Sequence, residues 1–244
     1  MMKPRAWCGA GFAWLIASLL TACSAQAPGE LFPLQQGQRW DYRLQYDMPN
    51  GKRKETLHIE ALGEASFYGP DGQQVQGHVR QTSQGTDYFI SKRDDGYYRV
   101  GKRVVVQHKP VADAQARMVL PRGKNLRVGY TWTLETSPYV LHWMPPFDQA
   151  NASIKPFDMV YQVVGISETV QTPLGIFENC VKVHGEGTLV FYADASAGYQ
   201  EVLVNHTEWY APGVGLVKLL REEPLNTDIM KGGKVEMLLV AHQR

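Results

Sequence analysis

The chain has 244 residues, of which 44% are hydrophobic, 11% aromatic and 20% charged. Its 25 basic residues nearly balance its 24 acidic ones, and the net charge of +1 excludes the basic field that holds nucleic acid. A mean hydropathy of -0.30 excludes a polytopic membrane protein, and three cysteines are too few for a disulfide scaffold. Composition therefore predicts a globular domain without a nucleic-acid partner and assigns no function.

The first 22 residues have the pattern of a secretory signal peptide. Lys3 and Arg5 form its positive region, and an almost unbroken apolar segment follows over 11–20. We expect this segment, 1–22, to be removed from the mature protein, so it does not belong to the fold.

The signal peptide ends in Leu20-Thr21-Ala22-Cys23, which resembles the lipobox of bacterial lipoproteins. The resemblance implies cleavage between Ala22 and Cys23, a diacylglyceryl thioether on Cys23, and an acyl chain such as palmitate on the new amino group. In two-membrane bacteria, Asp after the cysteine tends to retain lipoproteins in the inner membrane. Ser24 stands there instead, which implies a lipid-anchored protein of the outer membrane that faces the periplasm.

Removal of the signal peptide leaves 222 residues with a net charge of -1. We divide them into a lipidated tether, 23–30, and a single domain, 31–244. About seven tether residues span at most ~25 Å, so we expect the domain to lie close to the membrane. With Cys23 acylated, Cys180 is the one remaining thiol, and the mature domain has no disulfide.

The body of the chain has the pattern of β-strands joined by tight turns. From Trp40 to Asp47, aromatic and aliphatic residues alternate with polar ones, as in a half-buried antiparallel strand. Pro49-Asn50-Gly51 then favours a hairpin turn. Further strand-like runs cover 57–61, 74–82, 86–92, 97–100, 103–108, 130–135, 159–168, 178–184, 187–193, 201–209, 214–221 and 235–242. Only 111–118 suggests a helical turn, so the pattern predicts an all-β meander.

A short sequence motif occurs twice. Residues 34–40 and 126–132 both read L-x-x-G-x-x-W, and in each case an aromatic β-run begins at the tryptophan. The repeat predicts two related halves that meet near 110–126; the alternative is a coincidence of three positions. No linker rich in Gly, Ser and Pro separates the halves, which favours one domain.

The common catalytic and cofactor motifs are absent from the sequence. It contains no G-x-S-x-G, H-E-x-x-H, C-x-x-C, P-loop or dinucleotide-binding glycine motif. We therefore expect a protein that is not an enzyme and that binds no cofactor.

Three His-x-Glu pairs are weak candidates for a ligand or metal site. They are His58/Glu60, His184/Glu186 and His206/Glu208. Residues i and i+2 of a strand share a face, so each pair can direct both groups at one metal. The alternative, which we favour, is a solvated face with cross-strand polar pairs and no metal.

Two further segments have open interpretations. By parity Cys180 shares a face with Glu178 and Lys182, but a buried structural cysteine, with a local bulge or a sheet covered on both sides, is favoured. The segment 139–147 is apolar and proline-rich. Two interpretations remain open for its Trp143, Met144 and Phe147. They contact a partner, or they form a lid packed on the protein's own sheet.

Two segments carry a resemblance to a known group of proteins. Thr172-Pro173-Leu174-Gly175-Ile176-Phe177-Glu178-Asn179-Cys180 and 209–218, WYAPGVGLVK, resemble the T-P-x-G-x-F-x-N-C and W-Y-A-P-G-V-G-x-V-K segments of a family of bacterial exported lipoproteins. The resemblance covers most of 31–221, with tight matches only in short segments. It implies a strongly curved antiparallel sheet or a partly open barrel of meander hairpins, and it transfers no catalytic residue.

Three functions remain open. The first is a non-catalytic module that binds a partner protein or an apolar ligand in its curved sheet. The second is a periplasmic enzyme with a non-standard site, such as His206, Glu208 and Cys180 brought together. The third is a purely structural envelope lipoprotein. We favour a binding or structural role, with the membrane as a partner through the N-terminal lipid.

Overall fold

The computed structural model describes residues 29–145, 154–194 and 198–244. These residues form an all-β fold, as the sequence predicts. The strands are β1 (Arg39–Met48), β2 (Gly51–Tyr68), β3 (Gln74–Thr82), β4 (Asp87–Lys92), β5 (Gly96–Arg103), β6 (Val111–Pro121), β7 (Thr131–Thr136), β8 (His142–Trp143), β9 (Phe157–Thr172), β10 (Gly175–Asp194), β11 (Gly198–Ala211), β12 (Gly215–Asn226) and β13 (Met230–Gln243). A short 3-10 turn, Gly123–Asn125, precedes β7.

Twelve of the strands form one antiparallel sheet that nearly closes into a barrel. Its order is β6-β5-β4-β3-β2-β1-β13-β12-β11-β10-β9-β7, and β8 pairs with β13 beside this path. One seam, between β6 and β7, is not sealed by a strand ladder. The predicted curved, partly open barrel of meander hairpins is thus confirmed.

The repeated L-x-x-G-x-x-W motif forms the same turn twice. Gly37 and Gly129 have φ angles of 88° and 87°, a conformation that favours glycine. Their amides donate to the carbonyls of Ala61 and Val163, both at 2.8 Å. Each turn begins a meander of six main-sheet strands, β1–β6 in one half and β7 with β9–β13 in the other. This geometry supports two related halves rather than coincidence.

The predicted helical turn at 111–118 is wrong. These residues belong to β6, which pairs with β5 along the edge of the sheet. Two register shifts interrupt that pairing, one between Tyr97 and Tyr98 and one between Arg99 and Gly101. The shifts break the alternation of the side chains, which explains why the sequence of β6 lacks a clear strand period. Elsewhere in the described residues, no helix is long and apolar enough to span a membrane.

The two ends of the barrel differ in the connections that they carry. Because successive main-sheet strands are antiparallel, their connections alternate between the ends. We call the end with the β2–β3, β4–β5, β9–β10 and β11–β12 connections the tethered end, because the chain reaches the domain there. Gly29 lies against the β11–β12 turn, and the amide of Gly213 donates to the carbonyl of Glu30 at 2.9 Å.

Glu30 fastens the start of the domain to the barrel. Its carboxylate forms an ion pair with Lys92 and accepts a hydrogen bond from the Tyr97 hydroxyl at 2.8 Å. Burial by itself would raise the pKa of Glu30, but the hydrogen bonds from Lys92 and Tyr97 and the charges of Lys92 and Arg122 outweigh it and lower that pKa. The carboxylate form therefore stabilises the folded chain.

We predict that Glu30→Gln lowers the melting temperature at neutral pH and has little effect in acid. A carboxyl whose pKa is lowered on folding contributes stability above its ordinary value of 4.5, and that stability is lost as the pH falls through the lower folded value. Thermal unfolding of the wild type and the variant across this range measures the difference. A difference that stays constant down to a pH at which Glu30 is protonated would contradict the assignment.

Candidate functional site at the seam

A buried ion pair on β12 fixes a segment of chain inside the barrel. Arg221 and Glu223 are both fully buried, and the Arg221 Nε donates to Glu223 Oε1 at 2.6 Å. The Glu223 carboxylate also accepts three successive backbone amides, from Tyr139 at 2.9 Å, Val140 at 2.8 Å and Leu141 at 3.0 Å. These amides belong to the segment between β7 and β8, so the segment is held against the inner face of β12.

The guanidinium of Arg221 binds the same segment from its other side. Its Nη2 donates to the Ser137 carbonyl at 3.2 Å, and its Nη1 lies 3.3 Å from the sulfur of Met159. The guanidinium carbon lies 4.1 Å from the centre of the Tyr139 ring, within the range of a cation–π contact. Both buried charges therefore have partners: Glu223 contacts the guanidinium and three amides, and Arg221 contacts the carboxylate, a carbonyl and an aromatic ring.

A cavity of about 180 Å³ opens beside this segment, at the seam between β6 and β7. Its lining is mostly polar, with two tyrosines, two arginines and two glutamates. The lining residues are Arg99, Arg117, Val119, Leu134, Glu135, Thr136, Tyr139, Tyr161, His206 and Glu208. Tyr139 is 55% exposed although it contacts Arg221, because its ring faces this open space.

His206 is the buried polar group of the cavity. It lies on β11 among inward-facing valines, 2% exposed, and its Nε2 lies 3.0 Å from Glu208 Oε1. The edges of the imidazole and of the Tyr139 and Tyr161 rings meet at nearly right angles, with centroid distances of 5.9 and 5.8 Å. The buried Nδ1 has no hydrogen-bond partner within the described residues.

The hydrogen bonds around His206 determine which donors and acceptors the cavity offers to a bound group. A carboxylate only accepts hydrogen bonds, so the Nε2 of His206 carries the proton that Glu208 receives. In the tautomer with its single proton on Nε2, the Nδ1 of the ring is an acceptor without a partner among the described residues. Burial raises the pKa of Tyr161, and burial followed by the charge of Glu208 raises that of Tyr210, whose hydroxyl donates to Glu208 Oε2 at 2.8 Å. Both tyrosines stay neutral, and the site suits a group that donates a hydrogen bond.

Side chains, and no strand ladder, bridge the seam. The indole of Trp132 on β7 donates to the carbonyl of Met118 on β6 at 3.1 Å. Farther along, Arg117 and Glu135 approach to 4.0 Å across the gap. Arg99 is occupied by a two-pronged pair with Asp113, with both bonds at 2.8 Å. The seam is therefore pinned at Trp132 and more loosely bridged beside the cavity.

The two sequence-predicted pairs on β10 and β11 lie on opposite faces of the sheet. His206 pairs with Gly185, so His184, one residue away, points outward. There His184 contacts Thr207 at 2.9 Å and Glu186 at 3.0 Å. The interpretation of a solvated face fits His184 and Glu186 and is wrong for His206, which is buried.

The structure does not bring the candidate residues together as a metal centre. His58 lies on the outside of β2, where it contacts Asp41 at 2.7 Å. Among the described residues, no group of three or more His, Cys, Asp or Glu side chains is arranged to hold a metal ion.

Cys180 is buried and lies outside the seam cavity. Asn179 has a φ of 55°, and the pairing of β10 with β9 shifts register beside it, so a bulge turns the thiol inward. The thiol lies 3.6 Å from the carbonyl of Phe177. Burial, with the charge of Glu168, raises its pKa to about 11. Cys180 packs with Val170 and Ala211. Its neighbour Val181 pairs with Tyr210, four residues or roughly 13 Å along β11 from His206, so the hypothetical Cys180–His206–Glu208 site is not formed.

The apolar segment after Tyr139 is packed on the protein's own sheet. Trp143 pairs with Met230 of β13, and its ring meets that of Phe191 edge-on at 6.1 Å. The amide of Met144 donates to the carbonyl of Ile229 at 2.8 Å. The lid interpretation therefore describes Trp143 and Met144. Phe147, Ala22 and Cys23 lie outside the described residues.

Sequence reasoning missed the ion pair on which the cavity depends. The alternation of β12 contains the signal, because Val217, Leu219, Arg221 and Glu223 share one parity. With Val217 fully buried and Leu219 nearly so, that parity puts the two charges inside. Tyr139 and Tyr161 carry no comparable signal, since aromatic residues are frequent along the whole chain.

We predict that Glu223→Gln destabilises the protein by about 3–5 kcal/mol, because it leaves the buried Arg221 without a counter-charge. The matched control is Glu222→Gln, which alters a partly exposed neighbour 3.8 Å from Lys234 and should cost less than about 0.5 kcal/mol. Urea unfolding gives both values. Equal effects of the two variants would contradict a special role for Glu223.

No family model and no curated protein matches the chain. The fold is similar to a solved "putative lipoprotein" from Parabacteroides distasonis ATCC 8503, with a TM-score of 0.43 and 14% identity over 89% of this chain and 100% of that one. It is also similar to a "putative exported protein with YmcC-like fold" from Bacteroides fragilis NCTC 9343, with a TM-score of 0.36 and 13% identity over 88% of this chain and 100% of that one. At these values the likeness transfers no activity.

Proposed function

We propose that this chain is a lipid-anchored envelope protein of the outer membrane that faces the periplasm and binds an extended partner segment at its seam. The Leu20–Cys23 lipobox supports the anchor. The tether that follows it leads directly to Glu30, which is fastened to the barrel by Lys92 and Tyr97. The tether, attached to the barrel at Glu30, thus holds the domain close to the lipid surface.

The observation that carries the binding role is the pair of free strand edges at the seam. β6 and β7 end the sheet order, so each pairs with a neighbour on one side only. An unpaired edge presents backbone donors and acceptors to any extended peptide, which can join the sheet as a further strand. The two edges are joined at Trp132, so a peptide can pair with one of them beside the cavity and place a side chain in the pocket.

The cavity determines which side chain of the peptide it takes. A volume of about 180 Å³ is close to that of one large side chain. The unpartnered Nδ1 of His206 offers an acceptor to a hydrogen-bond donor. Glu135 already faces Arg117, and Glu208 already contacts His206 and Tyr210. This lining favours a polar side chain of a partner protein over an apolar ligand.

One observation favours a catalytic alternative. A histidine oriented by a carboxylate, as His206 is by Glu208, can act as a general base. The cavity lining contains no serine or cysteine that could act as a nucleophile. Its one aliphatic hydroxyl group belongs to Thr136. The binding role needs no further group, and we therefore propose a protein that is not an enzyme.

We predict that the mature protein carries acyl chains on Cys23. In cells fed a labelled palmitate, the wild type should take up label and float with outer-membrane vesicles, whereas Cys23→Ala should remain unlabelled and in the soluble periplasmic fraction. Cys180→Ala is the matched control and should behave like the wild type. Label in the Cys23→Ala variant, or a soluble wild type, would contradict the anchor.

We predict that a photo-crosslinking residue at Thr133, on the free edge of β7, captures a partner protein in the intact envelope. The same residue at Leu203, which is 54% exposed on the outer face of β11, is the control and should capture none. The Thr133 adduct should be lost in His206→Ala and retained in His184→Ala, which removes the outward-facing histidine.

Three outcomes would contradict this function. Equal capture from both positions would remove the seam as the binding site. Retention of the adduct in His206→Ala would remove the cavity from recognition. A small molecule retained in native mass spectra of the purified protein, without any cross-link, would replace the peptide by a small ligand.

A further inference from the structure

We propose that the outer face of the barrel carries a second binding site, a groove beside His58 and Glu60 that takes a neutral saccharide. This groove, which we call the outer groove, lies across β13, β1, β2 and the end of β3, and its volume of about 460 Å³ is in the range of small-molecule sites. It contains the first of the three His-x-Glu pairs, which the seam cavity does not use. The proposal is independent of the partner segment proposed for the seam.

The strand register places a first row of polar side chains across the outer groove. Arg39 of β1 lies opposite Gln243 of β13 on one side and Glu60 of β2 on the other. Glu60 in turn lies opposite Gln81 of β3. Neighbouring strands are about 4.8 Å apart. A guanidinium donor and a carboxylate acceptor therefore stand side by side, with a carboxamide at each end of the row.

A second row lies beside the first and ends at the β3–β4 turn. Asp41 of β1 lies opposite Ala241 of β13 and His58 of β2. Next to His58 stands Ser83, whose amide donates to the His58 carbonyl at 2.8 Å and whose hydroxyl accepts from the His58 amide at 3.1 Å. These two bonds fix the turn at the side of the groove.

Register shifts on both sides of β1 account for the curvature of the sheet at this place. The pairing of β1 with β13 shifts between Asp41 and Tyr42, and the pairing of β2 with β3 shifts between Ala61 and Gly63. A bulge bends its strand and increases the local twist, and bulges are frequent next to active sites. The strands therefore form a groove here instead of a flat wall.

The two charged pairs of the outer groove keep polar atoms for a ligand. Arg39 Nη2 donates to Glu60 Oε1 at 3.1 Å, and Asp41 Oδ1 lies 2.7 Å from His58 Nδ1. Each contact uses one oxygen of its carboxylate and one nitrogen of its partner. The four side chains are between 38% and 59% exposed. The other carboxylate oxygens, the other guanidinium N–H groups and the second imidazole nitrogen therefore remain for a ligand.

These groups suit a neutral ligand that is rich in hydroxyl groups. A sugar hydroxyl both donates and accepts, so it can pair with a guanidinium, a carboxylate or a carboxamide. An anion would find Arg39 already paired and would meet the carboxylates of Asp41 and Glu60. An apolar ligand would meet only two aliphatic side chains, Ile59 and Ala241.

The strand pairing also argues against an extended peptide at the outer groove. At Arg39 and Asp41, β1 pairs with β13 on one side and with β2 on the other. At Glu60, β2 pairs with β1 and with β3. The floor therefore offers side chains and no free strand edge, unlike the seam.

The test titrates neutral oligosaccharides into the purified lipidated protein and measures the heat of binding. A zwitterionic detergent is used, since a detergent with a sugar head group would compete. One probe is a hexamer of N-acetylglucosamine, which represents the acetamido sugars of cell-wall glycans, and the other is a hexamer of glucose, which represents plain hexose polymers. We expect saturable binding of at least one, and the tighter of the two identifies the class of sugar.

Four variants separate the outer groove from the rest of the surface. His58→Ala and Glu60→Ala each remove a polar partner of the sugar, and each should weaken binding roughly tenfold or more. His184→Ala and Glu186→Ala are the matched controls, because they alter an outward-facing pair of the same spacing that lies outside the groove. The controls should bind like the wild type. Surface ion pairs contribute little to stability, so thermal unfolding should show that all four variants keep their fold.

Three results would overturn the proposal. The first is the absence of binding heat with both hexasaccharides at millimolar concentration. The second is an equal effect of the groove variants and the control variants on the affinity. The third is binding that His206→Ala abolishes while His58→Ala and Glu60→Ala retain it, which would assign the sugar to the seam cavity.

Discussion

The Glu223 carboxylate holds the segment 139–141 against β12, inside the barrel and beside the seam. It accepts hydrogen bonds from three successive amides of 139–141 and from the guanidinium of Arg221, and both charged side chains are fully buried. Desolvation of an ion pair costs several kcal/mol, and only geometry that satisfies the remaining hydrogen bonds offsets that cost. Here the geometry does so by attaching a segment that no ladder holds at these residues.

This interaction explains why the barrel has a cavity beside its seam. Two related halves of six main-sheet strands share one full ladder, between β1 and β13, and meet a second time at β6 and β7. At that second junction the segment after β7 turns into the barrel and binds β12. Tyr139 is thereby placed against His206, and the space between the segment and β6 stays open.

The sequence predicts the architecture well because its signals are local. Strict alternation from Trp40, Gly-containing turns and the repeated L-x-x-G-x-x-W motif each depend on neighbouring residues, and the structure reproduces them. β6 was mispredicted as a helical turn because two register shifts disturb its alternation. Edge strands tolerate such shifts, since only one neighbour constrains them.

The candidate site was only half predictable. His184/Glu186 and His206/Glu208 have the same local pattern, yet one pair is outside the barrel and the other inside. Pairing with the neighbouring strand decides this, because His206 stands opposite Gly185 while His184 stands opposite Thr207. The burial of Arg221 and Glu223 follows from parity with Val217, but their partner segment lies more than 80 residues away and no local pattern identifies it.

Amide hydrogen exchange at Tyr139, Val140 and Leu141 tests the central claim most directly, namely that Glu223 holds this wall of the cavity. The account predicts protection comparable to that of the central strands, and its selective loss at these three amides in Glu223→Gln while β11–β13 stay protected. The account would be contradicted if, in the wild type, these three amides exchanged as fast as those of the exposed β5–β6 connection.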